Sequence, residues 1–292
     1  MIFPQDSLLR LRAGTPEDED LRLLSFLGLI AGPGEDLTSF CQRCTLSLCA
    51  SEHSPPIAEE HGWDQLTLSE MDPALQRTED IFGIRPSWVP VYVAEHGLAR
   101  HMLACTWIDQ DVPYVQLAHR FSKERWLGYD RAHVLAHELI HAARVAFDES
   151  SEELYAYQAE TRGWRRLLGP WLLHDRAARL FLLSLCVPIV APLLAFFMDF
   201  LEPWVLSASW IPPVALGSLL GWMGVRRKHT WKRCCAKLSS VVGGHIQAQS
   251  LTLHLTDDEV KRLAGGPEAL AAMANSTEPR WLQIKARFLT QN

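Results

Sequence analysis

The chain has 292 residues, of which 48% are hydrophobic, and a formal net charge of -6 at pH 7. This length is enough to bury a substantial core, and the acidic balance offers no basic surface for nucleic acid, so nucleic-acid partners are not expected. Seven cysteines, an odd number, do not fit the disulfide framework of a small secreted domain and indicate reduced thiols in a cytoplasmic setting. Nothing in the composition indicates an oligomeric state.

The N-terminal region, residues 1–86, is predicted to be mainly helical. A Thr-Pro-Glu sequence at residues 15–17 is a typical helix start, and residues 37–50 and 68–82 predict two further helices. The region contains no catalytic motif.

Residues 87–172 predict a separate domain that begins with a small sheet. Residues 88–94, 101–108 and 113–118 are short runs rich in β-branched and aromatic side chains, and polar turn residues separate them. Such runs are typical of strands joined by tight turns, so we expect a small antiparallel sheet.

The most informative motif follows these strands, at His137-Glu138-Leu139-Ile140-His141. Residues 129–147 contain no proline or glycine and have one apolar side, which predicts a helix. Residues four apart share a helix face, so both imidazoles can reach one cation, while Glu138 can take a proton from an activated water molecule. Arg131 and Arg144 lie in the same stretch, which excludes a membrane span there.

A catalytic zinc usually has three protein ligands, so a third ligand is expected after the motif. A second helix is predicted to begin at Glu152 and Glu153, after a polar turn. Eleven residues separate His141 from Glu153, which is enough for the chain to return to the first helix. Glu152 and Glu149 are alternative ligands if that helix is phased differently, and His133 is a further candidate one turn before the motif.

At this point the sequence resembles the gluzincins, zinc metallopeptidases in which a glutamate on a following helix completes an H-E-x-x-H site. Residues 153–157, Glu-Leu-Tyr-Ala-Tyr, are similar to the segment that carries this glutamate. The resemblance covers about residues 88–168 and rests on these motifs. It implies that His137, His141 and Glu153 hold one Zn²⁺ per chain, with Glu138 as the general base.

The resemblance also implies residues around the metal. Tyr157 stands where many relatives carry an aspartate that orients a ligand histidine, so Asp148 or Glu160 is expected to replace it. Tyr155 or Tyr157 is a candidate for stabilising the oxyanion of the transition state. In this family the edge strand of the sheet pairs with an extended substrate, and residues 112–117 are predicted to form that strand.

Two apolar stretches follow the motif and predict a transmembrane helical hairpin at residues 177–225. Residues 180–198 and 203–225 carry no charge, and each stretch is long enough to span a bilayer. Arginines precede the first stretch and basic residues follow the second, while their connection carries only acids. The positive-inside rule therefore predicts two spans with both termini and the catalytic domain in the cytoplasm. Residues 226–292 are expected to form a small helical tail.

These features together predict an α+β protein. Its zincin-like catalytic domain, with a small antiparallel sheet and active-site helices, is followed by the transmembrane hairpin and the tail. The predicted function is that of a membrane-anchored zinc metallopeptidase that hydrolyses protein or peptide substrates with a zinc-activated water. The alternatives are a catalytically inactive zincin-like membrane scaffold or interaction protein, and a membrane protein in which the motif is accidental.

Overall fold

The structure, a computed structural model, describes residues 3–50, 55–147, 152–169, 175–197, 203–266 and 268–290. The chain forms two compact units. Unit 1 comprises Met1–Thr161 together with Trp231–Asn292, and unit 2 comprises Arg162–Thr230. The expected α+β class is confirmed in its general form, because the described residues are mostly helical with a small sheet.

Five helices come first: α1 Gln5–Arg12, α2 Asp18–Phe26, α3 Leu37–Cys49, α4 Pro56–Glu60 and α5 Leu68–Phe82. This agrees with the mainly helical pattern predicted for the N-terminal region. The ends of α5 follow from its sequence. Thr67 and Glu70 form a capping box at its start, and Gly83, in the left-handed region with φ 61°, ends it.

A four-stranded sheet lies at the centre of unit 1, with strands β1 Asp64–Gln65, β2 Val91–Ala94, β3 Ala104–Asp109 and β4 Val112–Ala118. The strand order is β1-β2-β4-β3. The prediction of a purely antiparallel sheet is wrong, because β2 and β4 are parallel. After β2 the chain crosses to the far edge, forms β3 there, and returns through a two-residue turn into β4.

The strand order also corrects the predicted edge strand. Residues 112–117 belong to β4, which has β2 on one side and β3 on the other, so they form an internal strand. In the part of the chain that the structure describes, β3 is the edge strand at this side of the sheet.

The motif helix packs on this sheet. A small hairpin, β5 Arg125–Trp126 and β6 Tyr129–Asp130, leads into α6 Arg131–Ala143, and then α7 Glu152–Ala156 and a 3₁₀ turn Tyr157–Ala159 follow. Helix α6 begins two residues later than predicted because Asp130 caps it, accepting a hydrogen bond of 2.9 Å from the N–H of Ala132. Leu135 and Leu139 are fully buried on the face of α6 that belongs to the core.

Unit 2 contains α8 Gly163–Leu168, α9 Asp175–Phe197, α10 Pro203–Ala208 and the first part of α11 Ile211–Ser239. Ser209 and Trp210 form a turn that interrupts the second predicted span. Pro212 and Pro213 follow at once in the first turn of α11, where a missing N–H breaks no helical hydrogen bond. These two prolines therefore mark a helix start.

The described residues contain one helix that could cross a membrane, where two spans were predicted. Leu206–Ser239 is long and apolar enough to cross a membrane, and only 11% of its most apolar window is buried. Residues 179–194 form a shorter apolar helix, and residues 198–202 lie outside the described residues. The described part of the chain thus gives one candidate span and does not establish a hairpin. Large apolar side chains of unit 2 are exposed, for example Ile189 at 65% and Phe196 at 81%.

The tail consists of α12 His245–Leu253, α13 Asp257–Gly265, α14 Glu268–Met273 and α15 Pro279–Ile284, followed by a π-helical turn Lys285–Leu289. It folds onto the N-terminal helices. Gln283 accepts a hydrogen bond of 2.9 Å from the N–H of Ala31 and donates one of 2.8 Å to the carbonyl of Leu29. The main core contains residues from both ends of the chain, among them Leu24 and Leu253.

Candidate metal centre

The two motif histidines meet on one face of α6. The Nε2 atoms of His137 and His141 lie 3.3 Å apart, and both side chains are largely buried. This proximity follows from the helix itself, since residues i and i+4 are neighbours one turn apart. The predicted pairing of these two histidines is therefore present in the structure.

Glu153 completes a triad. Its Oε2 atom lies 3.4 Å from Nε2 of His137 and 3.5 Å from Nε2 of His141. Ligands about 2.0–2.1 Å from a tetrahedral zinc are separated by about 3.3–3.4 Å, which is close to all three distances. Among the described residues, these three form the group whose donor atoms can hold one metal ion.

The chemistry of the three donor atoms also fits a metal ion. Oε2 of Glu153 is buried and accepts no hydrogen bond within the described part of the chain. A buried carboxylate oxygen without such a partner is costly unless a cation satisfies it. Two imidazole nitrogens and one carboxylate oxygen are a typical ligand set for catalytic zinc. The residues present therefore fit the Zn²⁺ that the motif predicts.

The electrostatics of the triad show strong coupling between its members. Burial favours neutral His141, but contacts with Glu152 and Glu153 outweigh it and raise the pKa of His141 to about 10. Burial likewise favours neutral Glu153, but the two histidines lower its pKa to about 2. These opposite shifts show that the cluster favours an ionised carboxylate beside a positive charge.

Glu152 takes a different position from Glu153. Its Oε2 atom lies 3.6 Å from Nδ1 of His141, the ring nitrogen on the opposite side from the triad. A carboxylate at the outer nitrogen of a metal-binding histidine orients the ring and increases its basicity. The structure thus places Glu153 in the triad and Glu152 behind His141. Glu149, the other alternative ligand, lies outside the described residues.

Glu138 is held beside the triad by the sheet. Oγ1 of Thr106, on edge strand β3, donates a hydrogen bond of 2.8 Å to Oε2 of Glu138. The carboxylate lines the same cleft as the three triad side chains. Sequence analysis missed Thr106. The alternation of side chains along β3 was visible, but no local pattern reveals which face meets α6.

The two tyrosines have different surroundings. The ring of Tyr157 stands edge-on to the ring of His137, with centroids 4.7 Å apart, and burial raises the pKa of Tyr157 to about 12. Tyr155 is 1% exposed and packs between Phe82 and Trp231 in the core. Tyr157 is therefore the tyrosine beside the triad.

Two further candidates, Glu160 and His133, lie away from the triad. Asp148 falls outside the described residues. Glu160 is buried, but it does not line the cleft. His133 lies away from the triad, in a separate pocket with Arg77 and Arg131, and burial lowers its pKa.

A cleft of about 600 Å³ contains the triad and Glu138. Ala104, Thr106 and Ile108 of β3 form one wall, and Val145 and Phe147 contribute to the rest. The cleft is therefore bordered by the edge strand of the sheet.

The backbone of β3 has hydrogen-bonding groups available on the outer side of the sheet. The N–H of Ala118 donates to the carbonyl of Leu103, so these two residues form a hydrogen-bonded pair. Such pairs alternate along antiparallel strands. Counting along the register from Leu103, every second residue of β3 bonds to β4. The residues between them, Ala104, Thr106 and Ile108, direct their N–H and C=O groups to the open edge.

Compared with family models, curated proteins and solved structures, the chain has no match. The site is thus described by its own geometry. It consists of two histidines and a glutamate that can hold a metal ion, a second glutamate beside them, and a cleft along an open strand edge.

Proposed function

We propose that the protein is a zinc-dependent metallopeptidase anchored to a membrane. The observation that carries this proposal is the convergence of the Nε2 atoms of His137 and His141 and Oε2 of Glu153 within 3.5 Å of one another, with Glu138 in the same cleft. A structural zinc site is usually closed by four protein ligands, whereas three ligands beside an open cleft are typical of a catalytic site.

The substrate is an extended polypeptide. The open edge of β3 offers backbone donors and acceptors at every second residue, and a peptide can add to it as a further strand. A peptide bound in this way would lie along Ala104, Thr106 and Ile108, next to the side chain of Glu138. Recognition of this kind would depend mainly on the substrate backbone.

The chain's own residues supply the proton transfers. Zn²⁺ held by His137, His141 and Glu153 would polarise the scissile carbonyl and make a water molecule more acidic. Glu138 accepts the proton of that water and passes it to the leaving amine. Thr106 holds the carboxylate of Glu138 in place, and Glu152 orients His141 from behind.

Unit 2 is proposed to lie in the bilayer. Many of its large apolar side chains are exposed, and lipid chains would cover them. The segments before and after unit 2 share one hydrophobic core, so both must lie on the same side of a membrane. Unit 2 would then cross the membrane an even number of times, which favours the two-span hairpin predicted from the sequence.

Orientation follows from the charges that flank unit 2's apolar stretches. Acidic Asp199 and Glu202 lie between the stretches, and basic residues lie outside them. By the positive-inside rule, unit 1 with its cleft faces the cytoplasm. The basic residues are Arg162, Arg165, Arg166, Arg176 and Arg179 before the first stretch, and Arg226, Arg227, Lys228, Lys232, Arg233 and Lys237 after the second.

The metal is tested by elemental mass spectrometry of the full chain, purified in detergent. We expect about one zinc per chain. His137→Ala and Glu153→Ala should lose it, and His133→Ala, which changes a histidine of the same helix outside the triad, should retain it. Absence of zinc from the intact protein after incubation with Zn²⁺ would show that the motif is accidental.

The chemistry is tested with Glu138→Gln and a library of synthetic decapeptides, with products identified by mass spectrometry. We expect this variant to keep its zinc and to lose peptide cleavage. Equal cleavage by the variant and the intact protein would contradict the assigned role of Glu138. Zinc binding without any cleavage by the intact protein would favour the inactive scaffold.

A further inference from the structure

A second chamber extends the cleft beyond the metal triad. It has a volume of about 540 Å³ and shares Ile108, Val145 and Ala146 with the first cleft. Its other wall comes from the N-terminal region, with residues 32–35 and helix α3. A polypeptide that follows β3 past Ile108 therefore reaches this chamber.

Within the described residues that line the chamber, Arg43 and Glu35 form an ion pair, so their charges cancel. Nε and Nη2 of Arg43 donate hydrogen bonds of 2.9 and 2.8 Å to the two carboxylate oxygens of Glu35. The same guanidinium donates to the carbonyl of Ile30, and Glu35 also accepts from the N–H of Gly32. Since these groups are engaged with each other, neither charge is available to a ligand.

Asp111 contributes a further carboxylate to the chamber. It lies in the two-residue turn between β3 and β4, where its side chain is exposed, and its negative charge helps to raise the pKa of Arg43 across the chamber. Gln110 and Asp111 have φ values of 47° and 66°, which are uncommon for residues other than glycine. Tight hairpin turns of this kind favour glycine at the second position. Aspartate tolerates this left-handed conformation better than most residues other than glycine, and here it lines the chamber.

The apolar side chains around Asp111 suit a long cationic side chain. Ile108 and Leu46 line the chamber and are exposed. The methylene stem of a lysine or arginine packs on such surfaces while its charged end stays in a polar environment. With the Glu35 and Arg43 charges cancelled, Asp111 leaves the chamber with a net negative charge.

We infer that Asp111 is a specificity-determining residue that selects substrates with a lysine or arginine at one fixed position, on one side of the cleaved bond. This inference rests on the proposed peptidase function. The turn lies several strand positions beyond Thr106, which contacts Glu138, and a strand rises about 3.3 Å per residue. The basic residue is therefore expected about three or four residues from the cleaved bond.

The test compares two aspartates of the same hairpin in the full chain. Asp111→Asn removes the charge inside the chamber. Asp109→Asn makes the same chemical change at a residue that lines neither cavity and belongs to the opposite face of β3. Each variant and the intact protein are incubated with the decapeptide library in detergent, and cleavage sites are aligned on the broken bond.

For the intact protein we expect basic residues to be enriched about two- to fivefold at one position, as is typical of partly exposed ion pairs. Asp111→Asn should reduce this enrichment to about onefold, whereas Asp109→Asn should leave it unchanged. Asp111→Lys should favour acidic residues at the same position. The enrichment should also decrease at high salt.

A second measurement separates binding from turnover. Glu138→Gln, loaded with zinc, is titrated with a fluorescent peptide from the preferred set and with its lysine-to-glutamate counterpart. We expect the basic peptide to bind about two- to fivefold more tightly, and Asp111→Asn in the same background to abolish the difference.

The outcomes are distinguishable. The inference about Asp111 is overturned if the intact protein cleaves peptides without a preference for basic residues. It is also overturned if Asp111→Asn and Asp109→Asn lose that preference equally. In both cases the proposed peptidase function still stands. Zinc binding without cleavage of any peptide overturns the proposed function, and the inference fails with it.

Discussion

The hydroxyl of Thr106 donates a hydrogen bond of 2.8 Å to the carboxylate of Glu138 and thereby connects the edge strand to the motif helix. The backbone of Thr106 faces the open edge of β3, while its side chain faces α6. Thr106 therefore contacts the proposed base with its side chain and lines the proposed substrate position with its backbone. This contact makes the position of Glu138 depend on the sheet as well as on its own helix.

Replacing Thr106 with valine should slow catalysis without removing the metal. Valine keeps the shape of threonine and loses the hydroxyl that holds Glu138. A hydrogen bond to a charged group contributes about 1.5–3 kcal/mol, of which only part affects the transition state, so we expect kcat to fall about tenfold. Zinc content, measured by elemental mass spectrometry, should not change. Thr106→Ser keeps the hydroxyl and should recover most of the activity; equal loss in both variants would contradict a role for the hydrogen bond.

Replacing Glu152 with glutamine should weaken metal binding. The change removes the carboxylate charge near Nδ1 of His141 and leaves the three triad residues in place. Loss of such an outer partner typically reduces metal affinity about 10–100-fold. The measurement is competition for Zn²⁺ with a chromophoric chelator. Glu59→Gln, the same change at an exposed position in α4, is the control. Unchanged affinity in Glu152→Gln would show that Glu152 does not support His141.

A buried ion pair in the tail predicts how stability depends on pH. Arg280 donates hydrogen bonds of 2.6 and 3.0 Å to the two carboxylate oxygens of Glu259, and both side chains are less than 9% exposed. Burial raises the pKa of Glu259, but the bonds to Arg280 outweigh burial and lower it overall. Its stabilising contribution is therefore present above the unfolded pKa of about 4.3 and is lost as pH falls through the folded pKa.

Glu259→Gln should lower the free energy of unfolding of unit 1 at pH 7 by about 3 kcal/mol, because Arg280 would remain buried with only the exposed carboxylate of Glu278 beside it, 3.4 Å away. The difference in unfolding free energy from the intact protein should narrow below about pH 4.3, where Glu259 of the unfolded chain takes up a proton before Glu259 of the folded protein does. Thermal unfolding followed by circular dichroism checks both effects. Asp258→Asn, which loses only an exposed ion pair with Lys261 on the same helix, should lower the midpoint far less. If the difference in unfolding midpoint between Glu259→Gln and the intact protein stayed constant from pH 7 to pH 3, the prediction would be contradicted.

The shared core of the two chain ends predicts an even number of membrane crossings. A green fluorescent protein at the C-terminus should fluoresce, because its end of the chain lies with unit 1 in the cytoplasm. Alkaline phosphatase inserted between residues 199 and 202 should be active only if the connection lies outside. An inactive insertion together with a fluorescent C-terminus would indicate that unit 2 enters the bilayer without crossing it.

Local patterns predicted the motif site well because the relevant forces act over short distances. The pairing of His137 with His141 follows from one helical turn. Local patterns could not distinguish the role of Glu152 from that of Glu153. Both are adjacent in sequence, and only the direction in which α7 meets α6 places one in the triad and the other behind His141.

By itself, the sequence determined the motif helix, the helical N-terminal region and tail, and the presence of long apolar stretches, because hydrogen bonds within helices and side-chain periodicity are local properties. Only the tertiary structure decided that β3 is the edge strand, that Thr106 contacts Glu138 and that Asp111 lines a second chamber. Each of these depends on how strands far apart in the chain are ordered. Strand order results from packing of the whole core, and no single segment encodes it.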